Sequence, residues 1–194
     1  TSGTSSALPA LFSISGVAFN SAANHAYFIS DTPATITDCN VDMTSGNLST
    51  CSNTTIQTIN SNAFNGNGIV YNPLLGTLYA TISGSNANTS NSYVYQCTLN
   101  SDGTVASCAD TDADNISYPS GISLNPGGTV AYIADYEYLV SCDVNASSGN
   151  FSNCTQNVLI ANTFNAGIAV NPTNTFVYAA NQTQNLIQQC TIDP

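Results

Sequence analysis

Apolar and polar residues alternate with a period of two along this chain, in short runs broken by Asn, Gly, Pro and Ser. That is the pattern of half-buried β-strands joined by tight turns. The same run comes back four times, as "GVAFNSAANHAYFIS", "GIVYNPLLGTLYATI", "GISLNPGGTVAYIAD" and "GIAVNPTNTFVYAAN". In each copy a glycine leads (Gly16, Gly68, Gly121, Gly167), an asparagine follows four residues on (Asn20, Asn72, Asn125, Asn171) and a tyrosine eleven residues on (Tyr27, Tyr79, Tyr132, Tyr178). The period is 52, 53 and then 46 residues, and nothing inside it has helical spacing. Each copy therefore predicts a strand, a turn at the asparagine, and a second strand carrying the tyrosine.

Two further strands follow in each of the first three copies, one holding a cysteine and the next its partner: Cys39 with Cys51, Cys97 with Cys108, and Cys142 with Cys154. In the second copy Asp102-Gly103 is a favoured two-residue hairpin turn. Centring the hairpin there sets Ser101 opposite Thr104, Leu99 opposite Ala106 and Cys97 opposite Cys108. Opposed cysteines on neighbouring strands are close enough to bridge. Six of seven cysteines thus form local staples, which points to an oxidising compartment. A metal reading lacks both a C-x-x-C spacing and histidines, since His25 stands alone. Four antiparallel strands in about 50 residues is the pattern of a β-propeller blade. The expectation is an all-β, propeller-type single domain over 1–194, with repeats beginning near 16, 68, 121 and 167.

The fourth copy stops after its third strand, at Cys190. Residues 1–15 precede the first glycine as a fourth strand precedes each later one, with Ala7-Leu8 aligned to Val158-Leu159. The N-terminus reads as a displaced fourth strand that completes the last blade, of its own chain or of a neighbour. On that alignment Gly3 stands where the partner cysteine belongs, so Cys190 is unpaired and is read as a buried, inert thiol, with pairing between chains the other reading.

Composition narrows the partners. The 194 residues contain no Lys or Arg against eleven acids, a formal charge of −11. Nucleic acids and anionic membrane surfaces are excluded, because both are bound through cations. No apolar run approaches the roughly 20 residues of a membrane span, so membrane insertion is not expected. Ser, Thr, Asn and Gln must keep the surface wet. The chain starts at Thr1 with neither initiator Met nor signal-like segment, and is read as a processed, secreted or cell-surface product.

The stretches "GISLNPGGTVAYIAD" with "CDVNASSGNFSNC", and "GIVYNPLLGTLYATI" with "CTLNSDGTVASC", resemble the repeats of secreted bacterial propeller proteins of the lactonase-like type, in their cysteine-bearing subgroup. The resemblance covers nearly the whole chain and implies the propeller fold. Such propellers usually have about seven blades, so four units either close a small ring or supply part of a larger one. The resemblance also implies a central cluster of acids, His and Arg around a metal for the enzymes of the family. None of it carries over: Arg is absent, and His25 lies in the turn "SAANHAY", where an exposed tip is expected.

Among other candidates, Asp110, Asp112 and Asp114 in "DTDADN" have the alternate spacing of a calcium loop. Asn115 and Gly121 then stand where that loop wants Gly and an acid, so a solvated acidic loop is read first and calcium second. Asp135 to Tyr138, "DYEY", offers a ledge for a sugar but reads first as packing. Sequons at Asn47, Asn53, Asn88, Asn115, Asn145, Asn150, Asn153 and Asn181 are glycosylation candidates, several of them at hairpin tips. With no catalytic set, no cofactor and an exchangeable terminal strand, the sequence points to a non-enzymatic extracellular structural protein that self-associates into a surface layer or filament. A secreted binding or adhesion propeller recognising carbohydrate or protein is the alternative.

Overall fold

Each glycine-led run is the inner strand of an antiparallel sheet. The structure is a computed structural model that describes residues 13–31, 33–56, 64–84, 93–136, 138–159 and 165–192. Blade 1 is β1 (Ile14–Phe19), β2 (His25–Ser30), β3 (Thr35–Val41) and β4 (Leu48–Thr55). Blade 2 is β5 (Phe64–Asn72), β6 (Thr77–Gly84), β7 (Tyr93–Leu99) and β8 (Val105–Asp110), and blade 3 is β9 (Pro119–Leu124), β10 (Val130–Asp135), β11 (Tyr138–Val144) and β12 (Phe151–Val158). Blade 4 shows β13 (Asn165–Val170), β14 (Phe176–Asn181) and β15 (Leu186–Thr191). The sheets are arranged as a four-bladed β-propeller, with β1 against β5, β5 against β9 and β9 against β13. Among the described residues no comparable packing joins β13 back to β1. The expected N-terminal strand falls on residues 1–12, outside the described residues.

The repeated residues set this architecture locally. The asparagine at the end of each inner strand folds its side chain onto the β-turn that follows: Asn125 Oδ1 accepts from Thr129 N (2.8 Å) and Val130 N (3.1 Å), and Asn171 Oδ1 from Thr175 N (2.8 Å) and Phe176 N (2.9 Å). Such side-chain bonds fix a turn that backbone bonding alone leaves loose. Gly68 is needed for space, because a methyl group there would lie 2.6 Å from the Ser120 carbonyl oxygen of the next blade. The core lies in three layers between successive blades, centred on Tyr27, Ile36 and Leu78, on Tyr79, Val94 and Ile133, and on Tyr132, Leu139 and Val177.

The three staples form as expected: Cys39–Cys51, Cys97–Cys108 and Cys142–Cys154, with Cα atoms 4.0–4.1 Å apart. Cys97 stands directly opposite Cys108, but Leu99 pairs with Val105 and not with Ala106. A register shift between Thr98 and Leu99 absorbs the extra residue, and a hairpin counted outward from its turn does not foresee such a bulge.

Candidate functional site

In blades 1 and 2 the repeated tyrosine bolts one blade to the next. Tyr27 Oη donates to Gly103 O in the β7–β8 turn of blade 2, and Tyr79 Oη to Gly149 O in the β11–β12 turn of blade 3, both at 2.8 Å. Burial pushes both phenols up to about 12, so they remain donors at any physiological pH. Each bolt brings the turns of one blade against the hairpin tip of the next.

Between blades 1 and 2 that junction encloses a cleft of about 250 Å³, lined by Asn20, Asn24, His25, Tyr27, Tyr71, Asn100, Ser101 and Asp102. His25, expected at an exposed tip, is the first residue of β2 and only 6 % exposed. Its ring stacks on Tyr27 with centroids 6.2 Å apart, and lies so close over Gly103 that a methyl group there would come within 2.6 Å of it. The imidazole Nδ1 is buried with no partner among the described residues. Asp102 beside it accepts from Thr104 Oγ1 (2.7 Å) and Thr104 N (3.1 Å); these bonds, with a smaller contribution from His25, hold its carboxyl below the usual range. Asn20 Nδ2 donates to Asn24 Oδ1 at 2.7 Å on the opposite wall. The lining is amide, hydroxyl and aromatic with the Asp102 carboxylate, and carries no fixed positive charge. One signal for His25 stood in the sequence: in the repeat register it aligns with Thr77, Val130 and Phe176, all strand residues.

The other candidates are dispersed. Asp110 ends β8 and accepts from Asp112 N, while Asp112 Oδ2 accepts from Asn150 Nδ2. Among the described residues no three acids, histidines or cysteines gather as metal ligands. The residues present do not fit the metal that the lactonase resemblance implies, and no step is derived through one. Of the "DYEY" stretch, Tyr136 is exposed with its ring 6.1 Å from that of Tyr118, and Glu137 lies outside the described residues.

Asp135 is wholly buried and accepts from the backbone N–H groups of Ser117 and Tyr118, anchoring the entry into β9. Burial raises its carboxyl against the lowering effect of those bonds. A carboxyl raised on folding binds its proton more tightly in the native state, so its contribution to stability is full below the free value of about 3.9 and is lost as pH climbs through the folded value. The urea midpoint of wild type relative to Asp135→Asn is therefore expected to fall as pH rises from 3.5 through that range, then to level off. A difference independent of pH would refute the assignment.

Of the sequons, Asn47, Asn53, Asn115, Asn145, Asn150 and Asn153 are exposed, and Asn88 lies outside the described residues. Asn181 is buried, with Nδ2 enclosed, which corrects its place among the glycosylation candidates because the folded chain does not present it. Cys190 pairs with Val177 on β14, is half-buried and free, and burial pushes its thiol up. It borders a cavity of about 470 Å³ between blades 3 and 4, together with Tyr132, Leu139 and Ile192. In blades 2 and 3 the tip of the third-to-fourth-strand hairpin fills the corresponding place.

No family model matches this sequence, and no curated protein matches it. Solved structures do. A periplasmic gluconolactonase of Pseudomonas aeruginosa, PpgL, superposes with a TM-score of 0.64 at 12 % identity, over 93 % of this chain and 58 % of that one. The likeness is to β-propellers. A calcium-binding regucalcin of Agrobacterium tumefaciens gives 0.59 at 18 % identity over 93 % and 59 %, and a hydrazine synthase of Kuenenia stuttgartiensis 0.61 at 16 % over 91 % and 58 %. The chain spans somewhat more than half the length of each. At such identities the likeness establishes the fold alone. It nevertheless corrects the expected function. The scaffold is one that a gluconolactonase and a calcium-binding protein use, and it lends no support to a structural, self-assembling subunit of a layer or filament. The non-enzyme reading falls with it. The three disulfides agree with an oxidising, extracellular or periplasmic setting.

Proposed function

We propose that the protein is a secreted ligand-binding propeller of the cysteine-bearing lactonase-like group, and that the His25 cleft takes a small, neutral, polyhydroxylated molecule such as a monosaccharide or a sugar lactone. The observation that carries this reading is the cleft itself, in which the His25 imidazole stands among amides, hydroxyls, the Asp102 carboxylate and two tyrosines. Amides and hydroxyls pair with sugar hydroxyls, and tyrosine rings cover their apolar faces. The cleft is smaller than the roughly 300 Å³ at which sites for drug-sized ligands begin, which limits the ligand to about one sugar ring. An uncharged ligand also avoids the repulsion that a chain of charge −11 exerts on anions.

The chain contains one histidine, so its ring proton resonances report on the cleft without ambiguity. Titration with a panel of monosaccharides and aldonolactones is expected to shift them saturably for at least one member, and Asn100→Ala to weaken that ligand about tenfold, the loss of one hydrogen bond. A panel that leaves the resonances unmoved at tens of millimolar defeats the reading. The His25 ring in the same cleft favours a second reading: an imidazole that has lost its proton is a general base, and would take a proton from water attacking a lactone carbonyl. A pH-stat would then record acid release that His25→Ala slows by roughly 100-fold or more.

A further inference from the structure

Each repeat is a control on the others, and both walls of the His25 cleft depart from their repeats. In blades 3 and 4 the amide of the turn asparagine is held by a threonine four residues on: Asn125 Nδ2 donates to Thr129 Oγ1 at 3.0 Å, and Asn171 Nδ2 to Thr175 Oγ1 at 2.8 Å. In blade 2 that place is Gly76, and Asn72 Nδ2 crosses instead to Gly128 O of blade 3 at 2.9 Å. In blade 1 it is Asn24, whose Oδ1 accepts from Asn20 Nδ2. The hairpin tips differ as well. Asp42 of blade 1 turns Oδ1 inward onto Thr44 N and Ser45 N, and Asn145 of blade 3 does the same with Ser147 N and Ser148 N. The tip of blade 2 closes one residue sooner, from Asn100 N to Thr104 O, where the others run from Asp42 N to Asn47 O and from Asn145 N to Asn150 O. There Asn100 gives its Nδ2 to Thr104 Oγ1 at 2.9 Å. Asn24 and Asn100 both line the cleft.

Bonding partners decide which end of each amide is left over. Asn20 Oδ1 accepts from the backbone N–H of His25 at 3.2 Å, so its Nδ2 is the end that reaches Asn24, and Asn24 must answer with its oxygen. Asn24 Nδ2, a donor, then has no partner among the described residues. On the other wall Thr104 Oγ1 spends its one proton on the Asp102 carboxylate and can only accept from Asn100. Asn100 must therefore turn Nδ2 to Thr104, which leaves its Oδ1, an acceptor, without a partner. We infer that the cleft, read as a site for a polyhydroxylated ring, holds its ligand in one direction. Hydroxyls donate to Asn100 Oδ1 and the Asp102 carboxylate on the blade 2 wall, and a carbonyl oxygen, of a lactone or of an acyl substituent, accepts from Asn24 Nδ2 on the blade 1 wall. A hydroxyl facing Asn24 would have to place its own proton, and the Asn20 and Asn24 oxygens are already engaged; a carbonyl has none to place. Asn24 is thus the specificity-determining residue and Thr104 a positioning residue that acts through Asn100.

The test titrates the whole chain with two pairs of probes, read on the His25 ring protons. The members of each pair differ in the carbonyl: glucono-δ-lactone against its carbonyl-free ring analogue anhydroglucitol, and N-acetylglucosamine against glucose. In at least one pair the carbonyl-bearing member is expected to bind about tenfold more tightly, the worth of one hydrogen bond, and that pair identifies the source of the carbonyl. Asn24→Thr installs the residue that blades 3 and 4 carry as Thr129 and Thr175; it keeps an acceptor for Asn20 and removes the donor. It should erase the difference between the members without moving the urea midpoint. Thr104→Val releases the Asn100 amide and should weaken both members alike, and Thr104→Ser should restore them. Members that bind equally in both pairs, a preference that survives Asn24→Thr, or a Thr104→Val without effect would each overturn the assigned direction and leave the cleft as the site. Four probes that all leave the resonances unmoved would overturn both.

Discussion

Reduction of the three hairpin disulfides is expected to unfold the propeller at 25 °C. Each bridge closes a loop of only 11 or 12 residues, yet loop-closure entropy still assigns roughly 3 kcal/mol to such a crosslink. Three of them come to about 9 kcal/mol, which is comparable with the whole stability of an ordinary domain, 5–15 kcal/mol. Propeller blades meet mainly their neighbours, so little long-range connectivity replaces what is lost. Circular dichroism across a urea gradient, with and without reductant, measures the effect. A midpoint that reductant leaves unchanged would show that the non-covalent joints suffice, and would make the staples dispensable for the fold.

Replacing Tyr79 by alanine should have the largest effect of any single substitution described. Tyr79 is wholly buried, packs on Phe151 with ring centroids 4.8 Å apart, and bolts blade 2 to blade 3 through Gly149. Truncating a buried aromatic costs about 3–5 kcal/mol. Tyr79→Phe keeps the packing and loses the hydroxyl, leaving Gly149 O unpaired, for about 1–2 kcal/mol. The same pair of changes at Tyr178 should shift the urea midpoint far less, since among the described residues no blade packs over it and it is 36 % exposed. Equal losses at the two positions would mean that the tyrosine acts within its own sheet and not across the joint.

The parts of this fold that could be read from the sequence are those that repeat. Glycine, asparagine and tyrosine at fixed offsets appeared four times; the asparagines pin the turns, Gly68 leaves room for the next blade, and Tyr27 and Tyr79 bolt one blade to the next. The cysteine pairs were readable for the same reason, since a disulfide across a hairpin needs two residues at a set distance from one turn. What escaped was whatever depends on a neighbour. His25 has a turn-like sequence around it, and only the blade 2 hairpin packed above makes it buried. Asn181 carries a perfect sequon and is enclosed by its own blade. The bulge beside Leu99 shifts the pairing by one residue without changing the residues that flank the turn. The cleft between blades 1 and 2 joins residues some 75 positions apart, such as Tyr27 and Gly103, and no local pattern announces such a meeting. The expectation of an inert structural protein failed differently. It counted the charged catalytic groups that are missing and gave no weight to a buried imidazole and a set of amides.

The outermost strand of a propeller blade leaves one row of backbone N–H and C=O groups open to any passing strand, and many proteins guard such edges with lysine. This chain has no lysine to spend there. In blades 1 to 3 the cysteine staple ties that strand to the one inside it, β4 to β3, β8 to β7 and β12 to β11. A strand tied in this way cannot slip its register or peel away to pair with a foreign edge. Its outward residues, Ser52, Asn53, Ser107, Asn153 and Thr155 among them, are small and polar. Covalent chemistry thus takes over a protective task against aggregation that charge performs elsewhere, and it does so independently of salt and pH.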